Sequence, residues 1–293
     1  MSEGKQQWRR TRSWLGNVRK IVRGRQPWSA ESEFAYYAVS RRVVEEHRSR
    51  QDAYAAECWF SGMQIMRGMG ILDTRLVGGA RVLDIGAGEC VLAGAIAQCG
   101  AAEVWAADAV PKQIWAAAEK LSKRDNIKFV IAGATDLPFG DAAFDLITAN
   151  LVLHHIEPVA PVAHEVFRCL RPGGRFVAAE PTPLLGTIVH EVTSENEAPI
   201  PPTRIVTELT RAGFVDVSSS YLWVRLATSA LGPLSPSYVI TARKPGTATG
   251  PAKVTLRRPL QPMRLAGLQL DGGCAFAEQA LEQERELLSI LAS

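Results

Sequence analysis

From residue 80 to residue 243, short β-branched and apolar runs alternate with helical stretches, and this alternation limits the fold more than any other feature of the chain. Strands are expected near 81–85, 103–108, 127–131, 144–149 and 174–180, with two weaker ones near 214–220 and 236–242. Helices are expected at 90–98, 111–123, 158–170 and 202–212. Strands separated by helices need crossover connections, so their sheet is mostly parallel and covered on both faces. In such doubly wound α/β sheets ligands bind beyond the carboxyl ends of the strands. Residues that carry chemistry should therefore follow the strands directly.

The strongest local signal is Arg81-Val82-Leu83-Asp84-Ile85-Gly86-Ala87-Gly88-Glu89-Cys90. An apolar strand runs into a glycine turn and then into a helix. Without a Cβ, Gly86 and Gly88 permit a tight turn and let a ligand approach the backbone. Twenty residues beyond Gly88, the run Val104-Trp105-Ala106-Ala107 ends in Asp108, where a carboxylate can accept the ribose hydroxyls of an adenosine. A nicotinamide-dependent dehydrogenase is the competing reading. Its G-x-G-x-x-G fingerprint fails at Val91, and no hydride-transfer pair stands out.

With these residues in place, Val82 to Gly88 resembles motif I of the class I S-adenosylmethionine-dependent methyltransferases. Asp136-Leu137-Pro138-Phe139-Gly140-Asp141-Ala142-Ala143-Phe144-Asp145 is similar to their adenine-side loop and fourth strand. Leu153-His154-His155-Ile156 and Leu170-Arg171-Pro172-Gly173-Gly174 follow in the family's order. The spacing resembles the subgroup of quinone-biosynthesis and small-molecule methyltransferases, over roughly residues 80–243. The resemblance implies a Rossmann-like sheet of seven mostly parallel strands, the last one antiparallel. It implies S-adenosyl-L-methionine as cofactor, held by Asp84, Gly86, Ala87, Gly88, Asp108, Ala109, Ala134, Thr135 and Asn150. Asp84 would orient the amino group, Asp108 the ribose, and Ala134 with Thr135 the adenine edge. Two positions depart from the family. Cys90 stands where a third glycine is frequent, and Gly133 stands where an aspartate bonds the adenine amino group. Either Asp136 compensates for the missing aspartate or that bond is absent.

The acceptor is less legible, because the cofactor already carries the activated methyl and the protein mainly aligns and excludes water. An oxygen acceptor needs a base, and histidine is the natural one near neutral pH. His154 and His155 follow the fourth strand. A second polar stretch, Glu180-Pro181-Thr182-Pro183 and then His190 to Glu197, lies where this fold builds its acceptor pocket. The catalytic candidates are therefore His154, His155, His190 and Glu180. No metal is expected. The acceptor is expected to be a small or amphiphilic molecule methylated at oxygen or nitrogen. A non-catalytic methyltransferase-like binding protein and an RNA methyltransferase are the alternatives.

Flanking segments complete the organisation: a basic N-terminal segment over 1–28, a helical cover over 29–79, the cofactor domain over 80–243 and an extension over 244–293. Tyr36, Tyr37, Tyr54 and Trp59 of the cover are candidates for the acceptor wall. Residues 1–25 hold eight basic residues against Glu3, a net +7 in a chain of net +3. On a helix over 8–25, Trp8, Trp14, Leu15, Val18, Ile21 and Val22 share one side, a pattern suited to an anionic membrane surface. A disordered tail, an RNA contact and a targeting peptide remain open for the same segment. No nucleic-acid partner is expected, since the central domain has no second basic cluster. Five scattered cysteines without a CxxC pair argue against zinc and disulfides and suit a reducing, cytoplasmic setting. No run of about 18 apolar residues suggests a membrane span. The oligomeric state is not legible. The extension should contain strands over 253–270 and a helix near 275–291 whose apolar stripe packs on the core or on a second subunit.

Overall fold

The structure is a computed structural model, and it describes residues 62, 63, 65–121, 124–182, 200–224, 235–248, 250–265 and 268–272. His190, the basic segment over 8–25, the aromatic residues of the cover and the helix expected near 275–291 lie outside the described residues.

A short helix α1 (Thr74–Val77) leads into β1 (Arg81–Ile85), α2 (Val91–Gln98), β2 (Glu103–Asp108), α3 (Pro111–Leu121) and β3 (Ile127–Ile131). The chain continues through β4 (Phe144–Asn150), a single 3-10 turn (Leu153–His155), α4 (Ala160–Cys169), β5 (Leu170–Pro181), α5 (Pro202–Arg211), β6 (Val215–Val224) and β7 (Ser235–Arg243). Two further strands, β8 (Gln261–Leu265) and β9 (Leu268–Gly272), come from the extension. The sheet order is β6-β7-β5-β4-β1-β2-β3-β9-β8. Strands β1 to β5 are parallel, and β7 runs antiparallel to both β5 and β6. The expected seven strands form the body of the sheet, and the β8–β9 hairpin lengthens it beyond β3, with β9 parallel to β3.

Why these residues make these elements follows from burial on two sides. In β1, β2 and β4 almost every position is buried, which suits a central parallel strand covered by helices on both faces. One face packs Leu83, Trp105, Phe144 and Phe176 against Val162 and Val166 of α4 and Ile205 and Leu209 of α5. The other packs Val82, Val104 and Ala106 against Leu92 and Ile96 of α2, Ile114 of α3, and Met66, Met69 and Ile71 of the cover. Helix α5 begins with Pro202, whose fixed φ suits the first turn, and buries Ile205 and Leu209 one turn apart.

The strand order reverses direction between β1 and β4. That is the switch point at which loops diverge and leave a crevice. The glycine loop after β1 and the loop after β4 face each other there. The extension is continuous with this domain: the Lys244 backbone N–H donates to Gly174 O at 2.9 Å, and the Gly140 N–H to Thr255 O at 2.7 Å.

Candidate functional site

The turn after β1 takes left-handed backbone at Gly86 (φ 62°) and Gly88 (φ 51°). A Cβ on Gly86 would lie 2.4 Å from a Val152 methyl, so the glycine allows the β1 and β4 loops to touch. A Cβ on Gly88 would meet nothing within 4 Å. Its backbone therefore borders open space at the switch point, as a cradle for a ligand requires.

Asp108, at the end of β2, locks this loop. Its Oδ2 accepts the Gly88 N–H at 2.8 Å, and its Oδ1 accepts the Val110 N–H at 2.8 Å. Ala87 is tied to the same strand, its N–H donating to Ala107 O at 3.0 Å. Burial raises the Asp108 carboxyl above its ordinary value, opposed by hydrogen bonds from the Val110, Gly88 and Ala109 N–H groups. Three backbone N–H groups occupy three of the carboxylate's roughly four acceptor sites, so accepting a ribose hydroxyl at the remaining one is compatible with this geometry.

Asp84 is placed deeper than its expected role suggests. It is 2% exposed, and its Oδ1 accepts the Thr148 hydroxyl at 2.7 Å. It also accepts the Ala93 N–H in the first turn of α2, where the helix dipole favours an anion. Burial nevertheless dominates and pushes its carboxyl up to about 7. Thr148 was not among the expected site residues. The signal was available, as a lone hydroxyl in the apolar run of β4 directly opposite Asp84 in the β1–β4 register.

The Asp84 shift sets a pH dependence. Its folded pKa lies above its unfolded value, so the associated stability is complete below about pH 4 and is lost as pH rises through about 7. Asp84→Asn removes that ionisation while keeping an acceptor for Thr148. We expect the variant to gain on the wild-type protein between pH 4 and 7, by up to about 1 kcal/mol per pH unit without cofactor. Thermal unfolding of both proteins at pH 5 and pH 8 checks this, and parallel behaviour would remove the assignment.

Cys90 opens α2 in left-handed backbone, with φ 57°. It is 1% exposed, and burial raises its thiol well above the usual range. It packs; it is not poised as a thiolate nucleophile.

Three of the catalytic candidates come together at the loop after β4: His154 and His155 within it, and Glu180 of β5 against it. Glu180 is 0% exposed. Its Oε1 accepts the Val152 N–H at 2.9 Å and the Leu153 N–H at 2.7 Å. Its Oε2 accepts the His154 N–H at 3.3 Å and lies 2.7 Å from His154 Nδ1. A carboxylate partner selects the tautomer with the proton on Nδ1. Glu180 thus has no surface through which to reach an acceptor, and its geometry is that of a positioning group. His154 is buried with it, while His155 is half-buried with its ring 4.0 Å from that of His154. Asn150, at the end of β4, lines a small hollow with Leu151, Ala179, Ile65 and Met69 of the cover.

On the adenine side, Ala134 is buried and Thr135 half-buried. Asp136 is exposed. Arg257 and Arg258 of the extension pair with it, and they hold its carboxyl below the usual range, the Arg258 hydrogen bond being the largest cause. Its carboxylate is thus already engaged by two arginines of the extension. Among the described residues no group of three His, Cys, Asp or Glu side chains could hold a metal, and no helix is long and apolar enough to cross a membrane.

Residues 83–178 match the family described as a methyltransferase domain. This stretch, about a third of the chain, is similar to that domain. A demethylmenaquinone methyltransferase of Clavibacter sepedonicus is 38% identical to the chain over 113 residues, 37% of this chain and 46% of that protein. A ribosomal protein L11 methyltransferase of Symbiobacterium thermophilum is 36% identical over 108 residues, 37% of this chain and 34% of that protein. The chain thus spans less than half the length of these curated relatives. Among solved structures, the [4+2]-cyclase SpnF has a TM-score of 0.51 at 20% identity, covering 62% of this chain and 82% of that one. That likeness shows the fold.

Proposed function

We propose that the protein transfers a methyl group from S-adenosylmethionine to a small or amphiphilic acceptor. The observation that carries this is the glycine loop at the switch point, open at Gly88 and fastened to Asp108. When bound, the cofactor supplies a methyl already activated on a sulfonium. The chain's own work is to hold the methionine part against Gly86 to Gly88, take the ribose on Asp108 and place the adenine beside Ala134 and Thr135. Asn150 borders the transferable methyl from the end of β4. Where the acceptor is a hydroxyl, half-buried His155 is the candidate base. The names of the relatives favour a quinone-type ring as acceptor. The cationic amphipathic pattern over 8–25 suits such a molecule, because it would bring the enzyme to an anionic membrane surface.

Calorimetric titration with S-adenosylmethionine, S-adenosylhomocysteine and NAD tests the reading. The first two are expected to bind at micromolar concentration and NAD is not. Asp108→Ala is expected to weaken both by roughly 1–3 kcal/mol through lost ribose bonds. Unchanged affinity in that variant would remove the ribose assignment. Failure of the wild-type protein to bind either would favour a binding protein that uses the fold alone. An acceptor screen on anionic vesicles, with and without residues 1–28, then decides the membrane contact, and His155→Gln in that screen decides the base.

A further inference from the structure

The extension grips the adenine-side loop at several points. Arg257 donates from Nη2 to Asp136 Oδ1. Arg258 Nη1 donates to the same oxygen at 3.0 Å, and its Nη2 to the Asp136 backbone O at 2.9 Å. Backbone bonds continue the grip: the Arg257 N–H donates to Pro138 O at 2.8 Å, and the Gly140 N–H to Thr255 O at 2.7 Å, so that Phe139 and Leu256 form an antiparallel bridge. Helix α4 holds the other flank. Glu165 accepts the Leu137 N–H at 2.8 Å, and Arg168 donates to Phe139 O at 2.7 Å and Leu137 O at 3.3 Å. The same extension then returns as β9 beside the end of β3, pairing Asp271 with Val130 and Gly272 with Ile131. The segment from 130 to 140 is thus braced at its strand and along its loop.

This segment carries Ala134 and Thr135, and it has Gly133 where the related pattern has a side chain that bonds adenine. A loop without that side chain can hold a flat base only through its backbone and its shape. Such a loop binds better when ordered in advance, because less conformational entropy is lost on binding.

We propose that Arg257 and Arg258 are cofactor-positioning residues, a strap that fixes the loop over 133–140 for the adenine by holding Asp136. The proposal rests on the cofactor reading above, and it gives the extension a function. The ion pairs are partly exposed, so they act as a network with the backbone bonds and are weakened by salt.

The test uses the full chain and the pair of substitutions Arg257→Ala and Arg258→Ala, with Arg257→Lys and Arg258→Lys as the conservative pair. Arg211→Ala is the control, an exposed arginine paired within α5 to Glu208. Amide hydrogen exchange over 133–140 is read without ligand, and the Kd for S-adenosylhomocysteine is read by calorimetry. The alanine pair is expected to speed exchange in that loop and to raise Kd roughly three- to tenfold. The lysine pair should recover part of the affinity, the control should change neither readout, and 0.5 M salt should narrow the gap between wild-type and alanine proteins. Unchanged exchange overturns the strap. Faster exchange with unchanged Kd also overturns it, leaving the arginines as a brace without bearing on the cofactor. A wild-type protein that binds no S-adenosylhomocysteine would sink the cofactor reading and this proposal with it, and the exchange result would still report whether the arginines order the loop.

Discussion

Glu180→Ala is expected to lower folding stability by about 3–5 kcal/mol, the range for removing one partner from a buried, charged hydrogen-bonded set. The carboxylate is wholly buried and collects three backbone N–H groups and the His154 ring. Alanine leaves these donors inside the protein with nothing to receive them, and an unmet buried donor costs about 1–3 kcal/mol. Glu180→Gln keeps one carbonyl oxygen but turns an NH2 group toward N–H donors, so a smaller loss is expected. Urea unfolding of the three proteins measures both. An alanine variant within about 1 kcal/mol of wild type would mean that the loop finds other acceptors, and the positioning role would fall. The loop in question runs from Asn150 to His155, so the folded fraction of the alanine variant should also bind cofactor less tightly.

The role of Glu180 was hard to read from the chain for a physical reason. An acid at the end of a strand on the functional edge reads as chemistry, and that is where it was expected. What decides its role is the set of donors from Val152 to His154, 26 to 28 residues away. Their backbone directions are not written in any local pattern. The glycine turn was legible because its requirement is local: Gly86 and Gly88 have positive φ and stand between an apolar strand and an apolar helix. Asp108 was legible for the same reason, as an acid closing a buried strand. The alternation of elements was legible because burial on both faces makes the runs apolar throughout. The strap was not, since Thr255 to Arg258 has no period and acquires its meaning from Asp136, 121 residues away from Arg257. Thr148 lies between these cases. A hydroxyl among apolar neighbours marks something, but only the strand register shows that its partner is Asp84.

Gly86→Ala is expected to cost about 2–5 kcal/mol, from two sources that can be separated. The first is the backbone: alanine in the left-handed region costs about 1–2 kcal/mol. The second is overpacking, about 1–3 kcal/mol in a filled site. The new Cβ would lie 2.4 and 2.7 Å from the two Val152 methyls and 3.1 Å from its Cβ. Rotating Val152 exchanges one methyl for another, because both branches leave the same carbon. Moving its backbone strains the Val152 N–H bond to Glu180. Moving the glycine loop instead strains the bonds from Ala87 to Ala107 and from Gly88 to Asp108. Val152→Ala in the Gly86→Ala background should therefore recover the steric part and leave the backbone part, and a double-mutant cycle in urea isolates the coupling. Gly88→Ala is the contrast. Its φ is also positive but its Cβ meets nothing within 4 Å, so its stability loss should stay near the backbone part alone, about 1–2 kcal/mol. Its methyl would enter the space assigned to the cofactor, so its loss of S-adenosylhomocysteine affinity should exceed its loss of stability. Equal stability losses at Gly86 and Gly88 would mean that Val152 does not press on the loop, and the link from Glu180 through Val152 to the cofactor cradle would be broken.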